Sequence, residues 1–282
     1  MATTSFFKRL MNPGGEPPAE AGPARLALAA FGKHPGWNDH IPGIGVETEA
    51  LAQFKQAVYV TGIGGRIDSG AWKALEAEKR IEGFDHTFLC LRSGHIITGQ
   101  VFSSEDGRRR KEYPMVLCVD SEGLSAGFVL PKAQSELERL REACQATASA
   151  DQVTTECRLA QDRLRGILAS PSPLTMAVTL PAEARRRFLD HRDLGPDRVG
   201  LLRALHELGT VGEIGRPGGP GPGANGRSCH LRLPRAADSG NDSLLLWAEF
   251  FRGAIAASSP LLLITRAGVE TAGAAPARFS LE

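Results

Sequence analysis

A mixed α/β fold built around an antiparallel sheet is what this sequence predicts, on two observations. Between Asp85 and Asp120, β-branched and aromatic residues gather in three runs, His86–Leu91, Ile96–Phe102 and Tyr113–Val119, separated by Ser93-Gly94 and Asp106-Gly107. Short runs of this composition joined by glycine turns form a meander. On either side of it, apolar residues recur at intervals of three and four, the period of an amphipathic helix.

The elements follow in order along the 282 residues. Residues 1–24 hold Pro, Gly, Ala and Glu with few large apolar side chains after Met11, and read as a flexible N-terminal segment. Leu26–Phe31 predicts a first strand, leading into a loop that Pro35, Gly36, Pro42, Gly43 and Gly45 keep irregular. Leu51, Phe54 and Val58 predict a helix over 47–59, stopped by Gly62, Gly64 and Gly65. A second helix is expected over 69–80, with Ser69 as N-cap and Trp72 and Leu75 on one face. The meander comes next, with Pro114 tolerated at the start of its third strand. Helical periodicity resumes after Pro131 through Leu137, Leu140, Ala143 and Cys144, and again through Val153, Cys157, Leu164 and Ile167. Helices over 181–190 and 197–208 and a Gly/Pro loop over 210–227 are expected before a strand at His230–Leu233. A helix over 241–256, a buried strand over 260–266 and a C-terminal tail over 267–282 complete the series.

Composition narrows the function classes. With 42% hydrophobic and 23% charged residues the chain resembles ordinary globular proteins. A formal net charge of +1 supplies no field for nucleic acid or anionic membrane. The five cysteines are odd in number and scattered, as suits a reducing compartment. Leu244–Trp247 and Pro260–Ile264 are far shorter than the roughly 20 apolar residues that cross a bilayer. A soluble, cytoplasmic protein is expected.

The densest polar group is Lys33, His34, Trp37, Asn38, Asp39 and His40, on one irregular loop after a strand. Zinc needs three or four convergent ligands, and here His34, Asp39 and His40 would need completion by a remote histidine such as His86, His95 or His230. The competing account gives Asn38 and Asp39 local turn hydrogen bonds, sets Trp37 at the core edge and leaves the histidines solvated or capped. Cys90 and Cys118 lie inside apolar strand-like runs, where a thiol acts as a small hydrophobe. Gly62-Ile63-Gly64-Gly65 lacks both the phosphate-loop and dinucleotide patterns and follows a helix, so no cofactor is assigned. Arg108-Arg109-Arg110-Lys111 forms a basic hairpin tip, a solvated turn in the plain reading and a contact for an acidic or phosphorylated partner in the sharper one.

Two of these segments together carry a resemblance. Gly32-Lys33-His34-Pro35-Gly36-Trp37-Asn38-Asp39 resembles the N-terminal Gly-Lys-x-Pro-x-x-Gly-Asp signature of the TagF family of type VI secretion regulators, with Gly32, Lys33, Pro35 and Asp39 in register. Ser104-Glu105-Asp106, then arginines and Tyr113-Pro114-Met115, is similar to that family's Ser-x-Asp-x-x-Gly-Arg-x-Phe-Pro-Leu segment. One extra residue separates Asp106 from Pro114, Arg110-Lys111 stands against the Gly-Arg pair, and a glycine comes earlier at Gly107. Ser243–Trp247 and the apolar run at Leu261 are similar to the family's C-terminal Ser-Leu-Trp-Trp segment.

The resemblance implies a single domain over 25–266 around a mainly antiparallel sheet. It implies a non-catalytic bacterial regulator that contacts secretion-apparatus components, a forkhead-associated protein among them. Its interaction surface would comprise Lys33, Pro35, Trp37, Asp39, Ser104, Asp106, Arg108, Arg109, Arg110 and Lys111, with the 33–40 loop beside the 104–114 hairpin. The alternative is a metal-dependent hydrolase using His34, Asp39 and His40, joined by Asp106 or His86.

Overall fold

The first strand, β1 (Arg25–Lys33), sends small and apolar side chains to both sides, and everything from Ala27 to Lys33 is buried. Ala27, Ala29 and Phe31 belong to one core, Leu28 and Ala30 to another, so helices must cover both faces. The structure, a computed structural model, describes residues 25–75, 83–168, 229–233, 240–252, 260–266 and 277–281.

Seven further strands join β1: β2 (His40–Ile44), β3 (Asp85–Arg92), β4 (His95–Phe102), β5 (Met115–Glu122), β6 (Cys229–Leu233), β7 (Leu261–Arg266) and β8 (Ala277–Leu281). Their order is β2-β1-β5-β4-β3-β7-β8-β6, and every pairing is antiparallel. The meander forms as its sequence predicts, each strand within two residues of its expected start, and Pro114 lies just before β5, where its missing N–H breaks no ladder. Helices flank this sheet to give a single α+β domain.

On one face, α1 (Glu49–Phe54) continues as a π-helix over Lys55–Gly64 and then α2 (Gly65–Asp68). Thr48 starts it, its hydroxyl accepting from Leu51 N and donating to Asp120 Oδ2 on β5, which ties the helix to the sheet. The expected stop at Gly62, Gly64 and Gly65 is corrected here. Each glycine weakens a helix by about 1 kcal/mol, but burial of Leu51, Phe54 and Tyr59 against the sheet holds the wider turn together. Ser69 therefore closes a helix, its N–H reaching Gly65 O, instead of opening one. Residues 71–75 are turns in which Trp72 stacks on Phe84, and the rest of the expected 69–80 helix lies outside the described residues.

The other face carries α3 (Ala126–Gln145), α4 (Ala150–Leu168) and α5 (Gly240–Arg252). Ser125 caps α3, so the helix begins ahead of Pro131 and holds that proline in its second turn, a correction to the expected start. The lost hydrogen bond is offset by burying Phe128, Val129, Leu130, Ala133, Leu137 and Leu140. Glu136 pairs with Arg139 on α3 and Arg163 on α4, joining the two helices. Leu244, Trp247 and Phe251 of α5 enter the same core. Residues 277–281, expected in a tail, form β8, whose partner β6 supplies the ladder that a lone segment lacks. The expectations for 1–24, 181–190, 197–208 and 210–227 lie outside the described residues. Among the described residues, no helix is long and apolar enough to cross a membrane.

Candidate functional site

β1 ends where β5 begins, so the loop leaving β1 and the loop joining β4 to β5 emerge from the same end of the sheet. Gly32 makes the close approach possible. Its φ is +106°, a conformation that L side chains rarely adopt, and an added Cβ would collide with Pro114 O. That carbonyl accepts from Lys33 N at 3.2 Å and from the Tyr59 hydroxyl at 3.2 Å.

Lys33 and Asp106, 73 positions apart, then meet in the interior. Lys33 Nζ lies 2.7 Å from Asp106 Oδ2, with both side chains almost wholly buried. Asp106 Oδ1 accepts from Arg108 N at 2.9 Å and Arg110 N at 3.1 Å, and Oδ2 also accepts from Arg110 Nε at 2.7 Å. Burial pushes this carboxyl upward, but Lys33, the two backbone amides and the Arg110 side chain together hold it well below the usual carboxylate range. One carboxylate thus shapes the whole 106–110 turn. Gly107 seals it against the first loop, donating to Trp37 O at 2.7 Å, and a Cβ there would sit 2.8 Å from Asn38 Oδ1. Arg109 carries φ +63°.

Asp39 occupies the mouth of this arrangement. Its Oδ1 accepts from Lys33 Nζ at 3.1 Å, from His40 Nδ1 at 3.1 Å and from Arg110 Nη2 at 3.2 Å. Hydrogen bonding from Lys33, then from His40, lowers its pKa. The same Arg110 Nη2 donates to Asn38 O at 3.0 Å. His40 meets the rings of Tyr113 (4.9 Å) and Tyr59 (6.0 Å) edge-on, Lys33 Nζ lies 5.3 Å from the Tyr113 ring centre, and the Tyr113 hydroxyl donates to Asp68. Burial, then Asp68, pushes the Tyr113 phenol up to about 12.

The structure brings the two sequence-marked loops together but divides their residues. Lys33 and Asp106, expected on the interaction surface, are buried, because each neutralises the other away from water. Pro35, Trp37 and Ser104 are half-buried, and Asp39, Arg108, Arg109, Arg110 and Lys111 are exposed. His34 is neither solvated nor turned toward Asp39. Its Nδ1 accepts from Gly36 N at 3.0 Å, so Nε2 carries the proton that goes to Cys144 O at 2.8 Å, and burial lowers its pKa. A neutral ring with both nitrogens engaged has no lone pair for a metal. His95 binds Asp120 at the opposite end of β4, and His230 stands on β6, at the far edge of the sheet from β2. Among the described residues, no three His, Cys, Asp or Glu side chains converge on a metal site. Burial pushes the Cys90 thiol up to about 12 and raises Cys118 as well.

The sequence reading did not enlist Tyr59 or Asp68. The apolar period through Leu51 and Phe54 points to Val58, and Tyr59, five residues after Phe54, takes the inward place because the helix widens to a π-helix there. Asp68 reaches the site only because the helix continues past its glycines. The chain matches no protein-family model and no curated protein.

Proposed function

We propose that this chain is a non-catalytic regulator of a bacterial type VI secretion-like apparatus, working in the cytoplasm through protein contacts made by the paired loops. The observation that carries the reading is the buried Lys33–Asp106 pair, which joins the two segments that resemble TagF signatures. Sequence similarity chose these residues one segment at a time, and their partnership is independent of that choice.

A second detail supports it. Counting from Asp106, the resemblance's Asp-x-x-Gly-Arg falls on Arg109 and Arg110. Arg109 adopts the left-handed backbone that glycine favours, and Arg110 turns back onto Asp106. The better register therefore sets Arg109-Arg110, not Arg110-Lys111, against the Gly-Arg pair, and the extra residue falls between Arg110 and Tyr113.

In this reading the buried pair fixes the loops, and Asp39, Trp37 and the arginines of the tip meet the partner. Arginine and tryptophan are the side chains that most often anchor interfaces. The test is affinity capture from the native bacterium with the wild type and with Arg108→Glu/Arg109→Glu, alongside metal analysis. Recovery of secretion-apparatus proteins that the double variant loses supports the proposal. Equal capture by both, or stoichiometric zinc with no partner, overturns it.

A further inference from the structure

Three donors crowd a single exposed carboxylate oxygen at Asp39, and the site needs that carboxylate as well as Asp106 to stay neutral. Lys33 and Arg110 bring two positive charges, Asp106 returns one negative charge, and Asp39 supplies the other. Lys33 and Arg110 are each held independently of Asp39. Lys33 Nζ stays on Asp106 Oδ2, while Arg110 keeps its Nε on Asp106 Oδ2 and its Nη2 on Asn38 O. Taking Asp39 away would leave a preorganised pair of cationic donors with one charge uncompensated.

Asp39 itself is lightly held. Its side chain is 72% exposed, and it sits in the bend that ends just before β2. Among the described residues, its side-chain hydrogen bonds all go to the three donors through Oδ1. Nearby, Arg108 and Arg109 are exposed on the turn that Asp106 holds, and neither has an ion pair among the described residues. Their charge favours an approaching anion.

We propose that Lys33 Nζ, Arg110 Nη2 and His40 Nδ1 form an oxyanion-binding nook in which Asp39 is the resident occupant, displaced by a phosphate-type dianion, free or carried on a peptide. A doubly charged phosphate offers more acceptor oxygens than a carboxylate and forms stronger charge-assisted hydrogen bonds. Against it stands the tether: Asp39 is always present at high effective concentration. The carboxylate thus sets a threshold that a weak or singly charged anion does not pass. This inference uses the loops of the proposed function, but it is read with no partner present, so failure of either leaves the other standing.

The experiment titrates full-length protein with inorganic phosphate and, separately, with O-phosphoserine blocked at both termini, at pH 7.5 by calorimetry. Asp39→Ala should bind phosphate tighter than wild type by roughly tenfold or more, the factor lost when the open state is only about a tenth populated. Asp39→Asn, which keeps the shape and removes the charge, should shift in the same direction if the alanine variant does not fold. Adding Arg110→Ala to Asp39→Ala should abolish the gain. Binding of blocked phosphoserine as well as phosphate assigns the nook to a modified peptide, and binding of phosphate alone assigns it to a free anion. Both agree with the proposal. Folded Asp39 variants that bind phosphate no better than wild type overturn it.

Discussion

Replacing Gly32 with alanine tests the joint on which the site is built. The added methyl meets two obstacles. The φ of +106° lies in the left-handed half of backbone space, where a Cβ costs about 1–2 kcal/mol. The methyl would also overlap Pro114 O and lie 3.0 Å from Met115 Cα, so β1 and β5 must separate locally. Moving that carbonyl loosens its bonds from Lys33 N and the Tyr59 hydroxyl, each worth about 1 kcal/mol net. Together these put the loss of stability at roughly 2–4 kcal/mol. Urea unfolding followed by circular dichroism reads it as a lower midpoint at an unchanged slope. Amide exchange should also speed up at Gly107 and Arg110, whose N–H groups close the second loop. A loss below about 1 kcal/mol, an ordinary value for a point substitution, with exchange unaltered, would refute the claim that this close approach holds the loops.

Arg109→Gly should raise stability by about 1 kcal/mol, because glycine relieves a left-handed backbone that arginine adopts at a cost; a lower urea midpoint would contradict this. Lys33→Met should lower the midpoint and free the 103–114 loop to exchange, since Asp106 then stays buried without its ammonium partner; protection at Arg108 and Arg110 equal to wild type would contradict it. Acid should weaken the fold through His34. Its folded pKa lies below the ordinary 6.5, so below pH 6.5 the unfolded chain binds the proton more readily and stability falls with pH. His34→Gln should flatten part of the loss between pH 7.5 and 5.5, and an unchanged slope would show that other groups, such as His86, carry it.

The meander was legible because β-branched residues and glycine turns announce strands locally, and α5 because Leu244, Trp247 and Phe251 keep one helical stripe. Other features depend on distant partners. Nothing next to Lys33 announces that it is buried, since the carboxylate that permits this is 73 residues away. Gly62, Gly64 and Gly65 read as a stop because propensity is local, whereas the packing that keeps the chain helical through them comes from the sheet. Pro131 misled in the same way. At the site, signature residues could be singled out, but whether each would be buried or exposed could not: Lys33 and Asp106 form the frame, and Asp39 and the arginines form the face. His34 shares a loop with Asp39, yet Cys144 O, on a helix more than a hundred residues later, draws its ring into the core.

The central claim is that the paired loops regulate a secretion apparatus by contact. The most direct measurement deletes the gene in its native bacterium and quantifies type VI substrate release, with complementation by wild type and by Arg108→Glu/Arg109→Glu. The account predicts altered release on deletion, restored by the wild type and not by the equally abundant double variant. Release unchanged by deletion, or restored equally by both proteins, would contradict it.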